Sequence, residues 1–155
     1  MNPESTARVF DTPYSKLLSQ PTLSGAMADL ETLLSKSYPE PSLEPASGQW
    51  SNTQILGHRA QISEHLTYAY LIVPGYAQND WVNAGHYDSR TWDELLILWR
   101  ALNGQILHVM KTVSPVSLFV SCIVGDSEAQ PLEALMIDYV GHTLHHLQSV
   151  AGESA

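Results

Sequence analysis

Between Thr91 and Val113 the apolar residues Leu95, Leu98, Trp99, Leu102, Ile106, Met110 and Val113 recur at spacings of three and four. Successive residues of an α-helix turn by about 100°, so this spacing gathers the apolar side chains into one stripe. The preceding tetrapeptide "TWDE", Thr91 to Glu94, matches a capping box, in which the threonine hydroxyl and the glutamate carboxylate satisfy backbone donors at a helix start. A stripe this long must be covered by other helices.

The rest of the chain supplies them. From about Pro21 to Ser37, Leu23, Met27, Leu30, Leu33 and Leu34 recur at helical spacing, with Pro21 suited to the first turn. "YPEPSLEPASG" then carries three prolines and a glycine and reads as a loop. "SNTQ", Ser51 to Gln54, is a second capping box and opens a helix to about Leu71. A turn at Pro74 and Gly75 leads into a polar and aromatic loop with Trp81 and His86. After Pro115, "VSLFVSCIV" is β-branched and short, as an extended crossing segment would be. The last helix begins near Pro131 and runs to about Val150, before Gly152. Residues 1–20 lack a period and read as an arm with one short helical turn. The expectation is a single all-α domain over residues 1–155, a four-helix bundle with a long crossover before the last helix.

Composition narrows the function. At 155 residues the chain can build one core without disulfide or metal staples. Sixteen acidic against seven basic residues give a net charge of -9, which repels polyanions and argues against nucleic-acid binding. Cys122 is the single cysteine and reads most simply as a small buried apolar residue. The start "MNPESTARVF" lacks a signal-peptide pattern, and no apolar run approaches the roughly 20 residues that span a bilayer. A soluble cytoplasmic protein with no membrane partner is expected.

The stretch "DYVGHTLHHLQSV" places three histidines among residues that otherwise read as buried. On a helical projection His142 and His146 fall in the sector of Leu132, Leu135, Met136, Tyr139, Thr143 and Val150, with His145 at its edge beside Asp138. Four residues apart, two imidazoles lie about 6 Å apart along the axis and can grip one ion. On the second helix His58 falls between Ile55 and Ile62 on the inward side. A divalent cation would satisfy all three imidazoles, whereas an unpaired buried polar group costs roughly 1 to 3 kcal/mol. The alternative is that each is a hydrogen-bonded core histidine. His65 is a substitute ligand or pocket residue, while His86 and His108 read as loop and surface residues.

"GQWSNTQILGHRAQISEHL" followed by "DYVGHTLHHLQSV" resembles the DinB/YfiT-like superfamily of metal-dependent enzymes. The resemblance covers about two thirds of the chain. It implies a four-helix bundle in which His58, from the second helix, and His142 and His146, from an H-x-x-x-H pair on the last, hold a divalent metal. His145 is the extra histidine of an H-x-x-H-H variant. The resemblance also implies thiol-dependent S-transfer, with a low-molecular-weight thiol as cosubstrate, or hydrolysis.

Three imidazoles leave a coordination position open on zinc, as in catalytic sites, so activation of water and of a thiolate are both open. Ligand type does not choose among zinc, nickel, copper and iron; zinc or nickel is expected. The general acid or base is unassigned among His145, His65, Glu64 and Asp138. Asp138, one turn before His142, is a candidate to orient that imidazole, or a solvated carboxylate. Trp50 reads as a hydrophobic staple, and Trp81, Tyr87 and Trp92 as packing or a pocket rim. A small-molecule enzyme is the main reading, and a noncatalytic metal- or ligand-binding module its rival. Val140, Leu144 and Leu147 are either a homodimer contact or core in a wider seam, and a homodimer is expected.

Overall fold

The computed structural model describes residues 9–39, 41, 48–67, 78–124 and 127–151, with only the backbone of 61–67 and 151. Four long helices carry the fold: α1 (Leu23–Ser35), α2 (Asn52–Thr67), α4 (Trp92–Thr112) and α5 (Leu132–Ala151). A short helix, α3 (Gln78–Gly85), lies between α2 and α4. Helix α2 packs along α4, α1 packs on both α4 and α5, and α2 meets α5 over a shorter stretch. The expected bundle is the observed one. Among the described residues no helix is long and apolar enough to cross a membrane.

The helix starts follow from local chemistry. Thr91 caps α4 reciprocally with Glu94, and backbone and hydroxyl hydrogen bonds from Thr91 hold the Glu94 carboxyl below its usual range. At α2 the Ser51 N–H donates to Gln54 Oε1 at 2.8 Å and the Gln54 N–H to Ser51 Oγ at 3.1 Å. In α1 the cap is Thr22, whose hydroxyl accepts from the Gly25 N–H at 3.1 Å, so Pro21 precedes the helix instead of occupying its first turn. The expected loop around Trp81 contains α3. It is short and buries Val82 alone, so it offers no apolar stripe to read.

The arm contributes one 3-10 turn, Ser15–Leu17, packed against α5. The crossover holds another, Ser117–Phe119, and then strand β1 (Ser121–Cys122). β1 pairs antiparallel with β2 (Gln130–Pro131) immediately before α5. Pro131 therefore closes a strand pair and α5 starts at Leu132. Cys122 is buried, and burial pushes its thiol above the ordinary range. The end of α2 near Leu71 and the Pro74–Gly75 turn lie outside the described residues.

Among the described residues the apolar interior falls into two clusters. One gathers Leu30 of α1, Ile106 and Met110 of α4, and Leu132, Met136, Ile137 and Val140 of α5. The other gathers Leu33, Leu56, Ala60, Trp92, Leu95, Leu96, Trp99, Leu147 and Val150. Both α4 and α5 thus give one half to each cluster. Between the halves stand Asn103 on α4 and residues 141–146 on α5. Val140 and Leu147 are core, and half-buried Leu144 packs against both clusters, so these three do not form an outward dimer face.

Candidate metal and histidine site

The histidines lie in that polar layer. His58 is 1% exposed, because α2 is buried on every side from Leu56 to Ala60. His142 and His146 are half-buried on adjacent turns of α5. Their Nε2 atoms face each other at 2.9 Å, with ring centroids 4.6 Å apart. The His58 ring meets His146 edge-on at 5.8 Å, which puts imidazoles from both helices at one place.

The three rings are clustered but not drawn into a finished ligand set. Two nitrogens on one tetrahedral zinc, each about 2.05 Å from it, would be about 3.3 Å apart. The 2.9 Å separation is instead that of a hydrogen bond. Among the described residues no group of three His, Cys, Asp or Glu is arranged to hold an ion. The donor chemistry nonetheless suits one. His58 Nδ1 is buried and has no hydrogen-bond partner among the described residues. Burial lowers the pKa of His58 to about 4 and of His142 and His146 to about 3, with the charge of Arg59 the next cause in each case. Neutral imidazole is the form that binds metals.

Arg59 is the residue that sequence reasoning missed most completely. It is fully buried beside His58, in the midst of the histidines. Its Nη1 donates to His142 Nδ1 at 3.3 Å; its Nη2 donates to the Tyr139 carbonyl at 3.4 Å and to Thr143 Oγ1. The guanidinium also lies 5.0 Å from the centre of the Tyr139 ring. The Tyr139 hydroxyl donates to Asn103 Oδ1 at 2.7 Å, and Asn103 Nδ2 donates to the Trp99 carbonyl at 2.8 Å. One polar network therefore joins α2, α5 and α4.

Aromatic rings enclose the cluster. Tyr14 of the arm stacks on His142 at 4.6 Å with 14° between the planes, and tilts against His145 at 5.2 Å. Trp50 stands edge-on to His58 at 4.7 Å, which is a site contact beyond the staple role expected of it. Helix glycines make room for Tyr14 against α5 and for Tyr87 against α2. A Cβ on Gly141 would lie 2.6 Å from the Tyr14 carbonyl oxygen, and one on Gly57 would lie 2.2 Å from the Tyr87 ring. Glycine inside a helix costs about 1 kcal/mol relative to alanine, so these two positions were the available signal of close packing.

Of the candidate acid or base groups, His145 is exposed beside the cluster, with its ring 5.5 Å from that of His146. Asp138 does not orient His142, whose Nδ1 faces Arg59; Asp138 Oδ1 is buried with no hydrogen-bond partner among the described residues. The side chains of Glu64 and His65 lie outside the described residues. Tyr87 and Trp92 are buried as packing, while Trp81 is exposed. A cavity of about 380 Å³ between Gln54, His86, Tyr87 and Asp88 is lined by none of the three clustered histidines.

The chain matches no family model and no curated protein. Its structure is similar to that of YfiT from Bacillus subtilis, described as "a probable metal-dependent hydrolase with an unusual four-helix bundle topology". The TM-score is 0.65 at 16% sequence identity, over 95% of this chain and 90% of that one. The fold implied by the two histidine segments is therefore the fold observed, the four-helix bundle of YfiT.

Proposed function

We propose that the protein is a divalent-metal-dependent enzyme acting on a small molecule, with His58, His142 and His146 as the metal ligands. The observation that carries this reading is the meeting of neutral imidazoles from α2 and α5 around His146, with His58 Nδ1 buried and without a hydrogen-bond partner among the described residues. The fold neighbour's description points the same way. Zinc or nickel is the expected metal. A cation held there supplies Lewis-acid chemistry, suited to activating water for hydrolysis or a low-molecular-weight thiol for S-transfer.

The chain's own groups supply the surroundings. Tyr14 and Trp50 cover ring faces and restrict the approach of solvent to His142 and His58. His145, exposed beside His146, is the group best placed to exchange a proton with a bound substrate. A cytoplasmic location and a homodimer belong to this reading, and a monomer in analytical ultracentrifugation would remove the latter.

The test is metal content and zinc or nickel titration of tag-free protein. We expect one ion per chain, lost in His146→Ala, followed by turnover in a screen of thiols with electrophilic acceptors and of hydrolysable esters and amides. No uptake at micromolar metal would overturn the reading. A second reading, a noncatalytic module whose histidines are a closed hydrogen-bonded pair, draws on the 2.9 Å contact between His142 and His146. It is favoured if protein without metal is fully stable and binds none.

A further inference from the structure

We propose that Arg59 is a positioning residue that sets the tautomer of His142, and through it how tightly the three-histidine site takes a divalent cation. This inference rests on the metal reading above but is tested separately from it. A guanidinium has only donors. His142 Nδ1, 3.3 Å from Arg59 Nη1, must therefore accept, which leaves the ring proton on Nε2. That Nε2–H points at His146 Nε2, 2.9 Å away, which accepts in turn. Turning the ring over would take a nitrogen from each contact, so the two hydrogen bonds select this orientation together.

The consequence is a conflict with ligation. An imidazole that gives Nε2 to a metal carries its proton on Nδ1, and metal-bound histidines ordinarily donate that proton to a carboxylate, a carbonyl or water. Here Nδ1 faces a donor and a fixed positive charge. Loading the site therefore requires the His142 proton to move from Nε2 to Nδ1 and the Arg59 Nη1 contact to be released. Arg59 is not free to swing away at no cost, because Thr143 Oγ1 and the Tyr139 carbonyl hold Nη2 and the Tyr139 ring lies against the guanidinium. Stacked Tyr14 keeps the His142 ring from rotating out of the contest. The metal-free arrangement is thus self-consistent, and the guanidinium weakens the site.

The experiment begins on wild-type protein without metal, with histidine-labelled nitrogen NMR reading which ring nitrogen of His142 is protonated, the signals being assigned by their loss in His142→Gln. The expected result is a proton on Nε2, moving to Nδ1 as zinc is added. Arg59→Gln, which can present an acceptor to Nδ1 and carries no charge, should bind zinc about tenfold or more tightly and show mixed His142 tautomers before loading. Thr143→Val, which keeps the charge but removes one anchor of Nη2, should shift affinity the same way by a smaller factor. A wild-type His142 already protonated on Nδ1 would overturn the proposal. So would folded Arg59→Gln or Thr143→Val proteins that bind zinc no better than wild type. If Arg59→Gln does not fold, the wild-type tautomer and Thr143→Val decide. Zinc binding without these effects sinks the role of Arg59 alone, whereas absence of zinc binding in every variant sinks the metal reading, and with it the affinity role given to Arg59.

Discussion

The two apolar clusters and the polar layer between them are built from the same helices by different rules. In the clusters, Leu30, Ile137 and Val140 need only be apolar and of the right volume, since dispersion and water exclusion have no direction. In the layer, Arg59, Asn103, Tyr139, His142 and Thr143 each depend on a partner atom at a particular place. A polar group buried without its partner costs roughly 1 to 3 kcal/mol, and a charge costs more. The clusters therefore hold the bundle together, while the layer specifies how α2, α4 and α5 register against one another.

Acid should break the comparison most strongly. The three clustered histidines have folded pKa values of about 3 to 4, below the ordinary 6.5. The unfolded chain therefore takes up protons first as pH falls. Stability of the metal-free protein is at its full value above about pH 6.5 and declines steadily down to about pH 3, through the folded pKa values of all three. Urea denaturation across that window measures it, and a flat profile would show that the layer is better solvated than its burial implies. Added zinc at pH 7 should move the loss to lower pH.

Truncation in a cluster should cost less and leave the layer alone. Leu30→Ala removes a fully buried side chain from the α1, α4 and α5 cluster and should destabilise by about 2 to 5 kcal/mol. Because the cavity lies away from the histidines, zinc affinity should change little. A parallel loss of affinity would mean that cluster and layer are not separable.

The smallest effect sharpens the border. Gly141→Ala offers α5 up to about 1 kcal/mol of helix propensity, yet its methyl group would lie 2.6 Å from the Tyr14 carbonyl oxygen. The arm should lift, near-neutral stability should result, and limited proteolysis should cleave the chain near residues 9–18 faster than in wild type. Unchanged protease resistance would show that the arm can shift without leaving His142.

What was legible beforehand is what short-range rules carry. The caps at Thr91 and Ser51 act within three residues, and the i, i+4 placement of His142 and His146 follows from helix geometry alone. The long helices with apolar stripes were readable for the same reason. Periodicity reports which side of a helix is covered, but not what covers it. Where α2 is enclosed all round, at residues 56–60, the inward side of His58 was readable, but Arg59 beside it gave no sign of being interior too. Helix α3, with Val82 as its one buried residue, had no stripe to show.

The sequence by itself decided that His58, His142 and His146 lie on inward helix faces of a bundle. Only tertiary structure decided their neighbours: Arg59 on His142 from 83 positions away, Tyr14 stacked on the same ring, and Trp50 against His58. The reason is physical. Helix geometry is set by bonds within one turn, whereas the partner of a buried polar atom is set by whichever distant segment packs against it.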